Sequence, residues 1–295
     1  MIGVDWGTTH LRAYQIGPDG AILASRAEPK GIMAVTGGAF AAALEAVIGD
    51  WLISTSEPFL MSGMIGSRQG WVEAPYVPCP AGPRQVARAL AEVSCAGRRG
   101  FICPGLRCRD GSGVPDVMRG EEVQIFGALA TLTAGASNIC HPGTHSKHIR
   151  VEGRTVAAFT THMTGEVFAV LRDHSILGRT MRPGPVDWQA FDQGVARSRE
   201  SGGLLHHVFG ARTRVLMDEI AATSEADYLS GMLIGHEVHA AGGTGTVLVV
   251  GAAQLQERYL RAFRLCGRDA IGLSGDVATA AGLRLIHDLA GAPTT

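Results

Sequence analysis

Three short stretches of the chain combine residue types that could hold and move an anion. The first closes the opening strand, VDWGTTHLR, and sets Asp5 two residues before Gly7, Thr8 and Thr9. The second, CHPGTHSKH, repeats a Gly-Thr turn as Gly143, Thr144 and His145, with Lys147 close behind. Glycine lets backbone N–H groups approach an anion, and threonine hydroxyls add donors with little bulk. Two such turns facing one another would hold a polyphosphate from both sides. Lys147 stands near enough to add a compact cation, although a lone lysine is usually just solvated. The third stretch, RGEEVQIFGAL, puts Glu121 and Glu122 at the start of a helical pattern. They lie about 100° apart around the helix, so both cannot point squarely into one cleft. The plainer reading, carboxylates stabilised at a helix N-terminus by the macrodipole, accounts for at least one of them.

The elements that must position these residues follow from the apolar pattern. Ile2 to Asp5 reads as a strand, then come the Gly-Thr-Thr turn, a strand over Leu11 to Ile16, a Gly17-Pro18-Asp19-Gly20 turn and a strand over Ala21 to Arg26. From Asn138 the layout returns: an apolar approach, the Gly143-Thr144-His145 turn, a strand, Glu152-Gly153, and Thr155 to Phe159. One Gly-Thr pair is a plain turn; the same pair at the same place in two meanders implies two similar domains. Helical spacing fills the gaps with Phe40, Leu44, Val47, Ile48 and Trp51 in the first half, and Tyr228, Leu229, Met232, Leu233 and His236 in the second. GTVLVVGAAQL is a buried strand running into a helix with Leu255, Tyr259 and Phe263. A closing helix is placed from Ala278.

Composition narrows the function classes. At 295 residues and 46% hydrophobic content the chain can bury a sizeable core, and its length fits one large domain or, as the better reading, two of about 150 residues. Lys+Arg 26 against Asp+Glu 27 leaves a net charge of −1, with no run of either sign to track nucleic acid or a membrane surface. There is no apolar stretch long enough to span a bilayer and no signal-peptide layout, so a cytoplasmic location is expected. The 6 cysteines form no CxxC pair and read as free thiols. Cys103, Cys108, Cys140 and His141 could be assembled on paper into a zinc site, but their spacing matches no usual ligand pattern.

The paired meanders resemble the actin, sugar-kinase and Hsp70 ATPase superfamily. That implies an α/β fold of two ribonuclease-H-like (actin-like ATPase) domains with an inter-domain active-site cleft, over 1–135 and 136–295, each with a mixed five-stranded sheet. In that superfamily an Asp ends the first strand and helps hold Mg²⁺, which places Asp5 at the metal, with one aspartate chemically sufficient. His141 stands where the second meander would have its own Asp. Six blocks in order, VDWGTTHLRAY, MSGMIGSRQGWVEAPYVPCPAG, DVMRGEEVQIFGAL, PGTHSKHI, TGEVFAVL and SGMLIGHEV, resemble the 2-dehydro-3-deoxygalactonokinase family. The resemblance implies ATP-dependent phosphorylation of a 2-keto-3-deoxy sugar acid at its terminal hydroxyl.

Site roles follow as expectations. Related carbohydrate kinases carry a GDQ segment whose Asp takes the proton of the attacking hydroxyl; alignment on Gly120 puts Glu121 there, one methylene longer, with Glu122 as competitor. Gly7, Thr8, Thr9, Gly143 and Thr144 are expected at the ATP phosphates, with His145 and Lys147 beside them. Gly251 and Ala252, in LVVGAAQL, resemble the superfamily's adenosine platform; the stretch lacks the further glycines of a dinucleotide fingerprint. For the acid, Ser62, Gly63, Ser67, Arg68 and Gln69 are candidates, and Arg68, Arg12 and Arg119 compete for the carboxylate clamp. For each arginine the plainer reading is a structural ion pair. Expected partners are ATP, Mg²⁺ and a small sugar acid, with neither nucleic acid nor membrane; a homodimer is admitted. Alternatives are a kinase of another sugar acid, or a non-catalytic sugar sensor, for whose DNA-binding module no room precedes residue 2. A nucleotide-driven ATPase of the Hsp70 or actin kind would be expected in a longer chain, and a phosphatase on the same fold is weaker still.

Overall fold

The computed structural model describes residues 1–132 and 137–291. The domain boundary expected at 135/136 lies outside the described residues. By internal contacts the chain divides into two compact units, one of Met1–Ala136, Arg150–Phe159 and Leu273–Thr295, the other of Ser137–Ile149 and Thr160–Gly272.

In the first unit, β1 (Ile2–Trp6), β2 (Leu11–Ile16) and β3 (Ile22–Glu28) form an antiparallel meander that sets Asp5 opposite Arg12. Helix α1 (Phe40–Ser54) buries Phe40, Leu44, Ile48 and Trp51, spaced close to one helical turn apart, onto a core with Val4, Trp6, Leu11 and Phe59. Strand β4 (Phe59–Ser62) then runs parallel to β1 and brings Ser62 beside Asp5. Beyond it come β5 (Tyr76–Pro78), the short α2 (Pro83–Ala87), and the hairpin of β6 (Ala91–Cys95) and β7 (Arg98–Ile102). The sheet order is β3-β2-β1-β4-β7-β6. Six strands replace the expected five because the β6–β7 hairpin completes the far edge. Its connection, Ala96-Gly97, has both residues at positive φ (49° and 72°), the requirement of a two-residue type I′ turn. β8 (Gly105–Arg109) pairs with β5 on one side and with β9 (Pro115–Met118) on the other in a separate three-stranded sheet, and the chain then turns at Gly120 into α3 (Glu121–Thr131).

The second meander is β10 (Asn138–His141), β11 (Ser146–Glu152) and β12 (Thr155–His162). The far half of its β11–β12 hairpin groups with the first unit, where Val156 bridges Ala81. In the second unit follow α4 (Thr164–His174), α5 (Trp188–Arg197), α6 (Gly203–Leu216), α7 (Glu225–Ala241), β13 (Val247–Gly251), α8 (Ala253–Leu265) and β14 (Ala270–Ser274). The sheet order is β12-β11-β10-β13-β14, with β13 parallel to β10 and buried along its whole length. Helix α7 is buried on nearly every face, with the carboxylates Glu225, Asp227 and Glu237 among its buried residues. It meets α5 at glycines: a Cβ on Gly231 would lie 2.0 Å from the Phe191 carbonyl oxygen.

The closing helix α9 (Gly275–Gly291) starts three residues before Ala278 and packs along α3 in the first unit. The two backbones all but touch, since a Cβ on Gly127 would lie 1.8 Å from the Ala278 carbonyl oxygen and one on Gly282 1.9 Å from that of Val123. Backbone cannot yield as a flexible side chain can. Gly127→Ala is therefore expected to cost about 1–3 kcal/mol or more, read as a lower urea midpoint. An unchanged midpoint would show that the crossing is looser than drawn. Among the described residues no helix is long and apolar enough to cross a membrane.

Candidate active site

In the first unit, the ends of β1 and β4 and the starts of α3 and α9 bring a group of carboxylates together around Asp5. Burial pushes the Asp5 carboxyl up to about 6; the Arg12 guanidinium opposes this, and the negative charges of Glu121 and Asp276 add to it. The floor of the group is bare backbone. Gly63 has φ +96°, and a Cβ there would lie 2.7 Å from the Trp6 carbonyl oxygen and 3.1 Å from Asp5 Oδ1. Gly120 has φ +106°, and its Cβ would lie 3.0 Å from the Gly63 Cα. Any side chain at either position would fill this space.

The two glutamates of α3 differ sharply. Glu121 is half-buried, and its Oε2 accepts the Arg119 N–H at 2.9 Å. Glu122 is fully buried; its Oε2 accepts the Gly120 N–H at 2.7 Å, and its other oxygen has no protein partner. Burial, and then the charge of Glu121, push Glu122 up to about 8. It holds its own proton at neutral pH and cannot accept another. Asp276, in the first turn of α9, accepts the Tyr14 hydroxyl at 2.7 Å and lies 3.7 Å from Arg12. Sequence reasoning passed over both Tyr14 and Asp276. The available signal was an aspartate opening a helix directly after a strand, in LSGDVA.

The first turn is held from below. Gly7 N–H donates to the His10 carbonyl at 2.9 Å, Ile32 N–H donates to the Gly7 carbonyl at 3.0 Å, and Met33 N–H to that of Thr8 at 3.3 Å. Thr8 and Thr9 are exposed, with Thr9 Oγ1 2.9 Å from His10 Nδ1.

The structure separates the acid-binding candidates. Arg68 and Gln69 are exposed, and Arg68 pairs with Glu73 at 3.1 Å, the plain surface ion pair. Ser62 is buried and directs its hydroxyl at the Val4 carbonyl, 3.5 Å away, so it is turned into the sheet and not toward open space. Arg119 is buried: Nη2 donates to the Ala74 carbonyl at 2.8 Å, and the guanidinium stacks 4.2 Å from the Tyr76 ring centre. Its Nε and Nη1 have no protein partner, and neither does the buried Ser67 hydroxyl. A Cβ on Gly66, the neighbour of Ser67, would come within 3.0 Å of Arg119 Nη1. Unspent buried donors of this kind suit an anionic ligand.

In the second unit, the Gly143-Thr144-His145 turn rests on the N-terminus of α4. Glu166 N–H donates to the Thr144 carbonyl at 3.0 Å, and a Cβ on Gly165 would lie 2.4 Å from the Gly143 carbonyl oxygen. Thr144 and His145 are exposed, and His145 Nε2 pairs with the Glu166 carboxylate. Lys147 does not extend from the turn: it is buried, and its Nζ donates to Thr161 Oγ1 at 2.7 Å. Gly251 closes β13 beside the turn, since its Cβ would lie 3.7 Å from Pro142; Ala252 is exposed as the N-cap of α8. A pocket of about 300 Å³ adjoins Gly143 and Gly165, walled by Phe168, Leu233, Leu255 and Arg258.

This architecture belongs to the actin-like ATPases and sugar kinases. The activator of 2-hydroxyisocaproyl-CoA dehydratase from Clostridium difficile, solved with bound ADPNP, shares the fold with a TM-score of 0.52 at 13% identity, over 98% of this chain and 95% of that one. A sequence profile of the 2-keto-3-deoxy-galactonokinase family matches residues 5–286, and the chain belongs to that family. It is therefore an enzyme, a sugar kinase that transfers a phosphoryl group. It is 37% identical over 288 residues to a probable 2-dehydro-3-deoxygalactonokinase of Rhizobium meliloti (strain 1021), covering 95% of this chain and 94% of that protein. It is 35% identical over 290 residues to the 2-dehydro-3-deoxygalactonokinase of Escherichia coli (strain K12), covering 97% and 96%. The crystal structure of a putative 2-dehydro-3-deoxygalactonokinase protein from Sinorhizobium meliloti matches with a TM-score of 0.87 at 36% identity over 96% of each chain.

Proposed function

We propose that this protein transfers the γ-phosphoryl group of ATP to the 6-hydroxyl of 2-dehydro-3-deoxy-D-galactonate, in the cytoplasm, as a step of galactonate breakdown. The observation that carries the reading is the carboxylate group on a bare glycine floor around Asp5, in a chain of this kinase family. The names of its relatives support the choice of acid.

Glu121 accepts the proton of the 6-hydroxyl as that oxygen bonds to the γ-phosphorus and the bond to the β-phosphate oxygen breaks, releasing ADP. Phosphoryl transfer has a loose transition state, so positioning and charge stabilisation matter more than base strength. Gly7, Thr8 and Thr9 offer phosphate-binding backbone N–H groups and hydroxyls at their own turn, and Gly143 and Thr144 do so at theirs. His145 stands beside them, fixed by Glu166. Lys147 serves by bracing β11 against β12. The apolar pocket next to Gly143 supplies walls for the purine, with Gly251 and Ala252 at its phosphate side.

The donor set around Asp5 fits Mg²⁺, because clustered hard carboxylate oxygens, opposed by Arg12, favour a small divalent cation. Asp5 would hold it, with Asp276 in support. When bound, the cation would neutralise charge on the phosphates.

Arg119 and Ser67 receive the substrate carboxylate in this reading, with Gly63 leaving room for the sugar chain, and Arg12 is tied to the carboxylate group. Arg119→Met is expected to raise KM for the acid about 10- to 100-fold, the loss of a charged hydrogen bond or two, with little change in KM for ATP. Arg68→Ala should leave both near the parent values, since its partner is an exposed carboxylate. The reverse ranking would move the clamp to Arg68. The proposal itself is tested by ADP release in the presence of Mg²⁺: release that requires 2-dehydro-3-deoxy-D-galactonate supports it, and release indifferent to the acid refutes it.

A further inference from the structure

We propose that Cys140, His148 and Glu237 form a site for a divalent ion of the zinc type, with its fourth coordination position open to an adjoining cavity. Among the described residues this is the one group of three metal-ligating side chains whose ligand atoms all lie within 4.8 Å of one another. Cys140 stands on β10, His148 on the neighbouring β11 and Glu237 on α7, all in the second unit. Cys140 and Glu237 are fully buried and His148 is nearly so.

A hydrogen-bond network alone leaves this arrangement unbalanced. His148 Nε2 lies 2.7 Å from Glu237 Oε1 and 3.8 Å from Cys140 Sγ. One imidazole nitrogen has one site: if it donates to the carboxylate, it cannot accept from the thiol. A cation at the centre would satisfy all three at once. Tetrahedral zinc separates its sulfur, nitrogen and oxygen ligands by about 3.3–3.6 Å, so changes of up to roughly an ångström in these separations suffice. A mixed thiolate, imidazole and carboxylate set selects zinc-like ions over magnesium or calcium.

The surroundings are those of a supported site. The second oxygen of Glu237 accepts the Tyr259 hydroxyl at 2.6 Å, and Tyr259 in turn shares a hydrogen bond of 2.8 Å with Ser146. Such outer partners orient ligating groups. A cavity of about 440 Å³, lined by Glu237, His162 and His236 among others, gives the ion a path and room for a bound water. Binding displaces the Cys140 thiol proton to solvent while the neutral imidazole keeps its proton on Nδ1, so affinity rises with pH. Because β10 and β11 flank the Gly143-Thr144-His145 turn, the ion would clamp that turn at its base.

The test uses the full chain with Zn²⁺ or Co²⁺ alone. The parent should retain one zinc per chain after dialysis, gain thermal stability on loading, and show a thiolate-to-cobalt charge-transfer band with Co²⁺. Cys140→Ser and His148→Gln should each lose stoichiometric zinc and the band. Cys266→Ser should keep both, although Cys266 also makes a thiol–imidazole contact, 3.7 Å from His239. No retained zinc or no thiolate band in the parent would overturn the proposal. So would loss of the band only in Cys266→Ser, or zinc retained by a folded Cys140→Ser.

Discussion

Glu121→Gln is expected to lower kcat by about 10²- to 10⁴-fold, the usual contribution of a positioned general base. ATP affinity should stay near the parent value. The substitution keeps the size of the side chain, and an amide oxygen can still accept the Arg119 N–H that Glu121 Oε2 accepts at 2.9 Å. The substitution removes the ability to take a proton, together with the negative charge that Glu121 sets beside Asp5 and Glu122. The large fall belongs in kcat, because the interaction develops as the hydroxyl loses its proton and is absent when the acid merely binds. Steady-state kinetics with the acid varied, alongside titration of ATP binding, separate the two effects. Near-normal kcat would take Glu121 out of the mechanism and turn attention to Asp5, whose carboxyl burial pushes up to about 6.

Glu122→Gln is expected to act in the opposite sense, on stability and at alkaline pH. Burial raises the Glu122 carboxyl from an ordinary 4.5 to about 8, so the folded protein binds this proton more tightly than the unfolded chain. Below about pH 4.5 both states are protonated and there is no penalty. Between about 4.5 and 8 the unfolded chain releases its proton while the folded one keeps it, and stability falls by up to about 1.4 kcal/mol per pH unit. Above pH 8 both are ionised and the penalty is complete, on the order of several kcal/mol. Glutamine mimics the protonated form and still accepts the Gly120 N–H. The variant should therefore match the parent near pH 5 and exceed it clearly at pH 9. Urea midpoints across that range would test this; parallel curves for the two proteins would mean that Glu122 ionises freely when folded.

Local features were legible where they depend on neighbours in the chain. The turn after Asp5, the three strands of each meander and the helix of Phe40, Leu44 and Ile48 all follow from spacing of two or about four residues. Across long sequence distances the signal disappears. Asp276 meets Tyr14 over a separation of 262 positions, and nothing in LSGDVA names that partner. The three candidate arginines look alike in sequence; only the fold brings Arg119 against Tyr76 and Ala74, where it is buried, and leaves Arg68 in solvent. Position in sequence suggests Lys147 as a cation near the turn, yet β11 carries its side chain inward to Thr161. The β6–β7 hairpin escaped notice because alanine rarely accepts positive φ, so Ala96-Gly97 carries little of the usual turn signal. His148 and Glu237 come from strand and helix segments far apart in the chain, which hid their meeting with Cys140.

Phosphorus NMR of the product formed from ATP and 2-dehydro-3-deoxy-D-galactonate tests the proposed chemistry most directly. One new phosphomonoester signal, coupled to the protons on C6 and formed in equal amount with ADP, is the expected result. Inorganic phosphate in place of that ester, or a phosphoryl group on any other oxygen of the acid, would contradict transfer to the 6-hydroxyl.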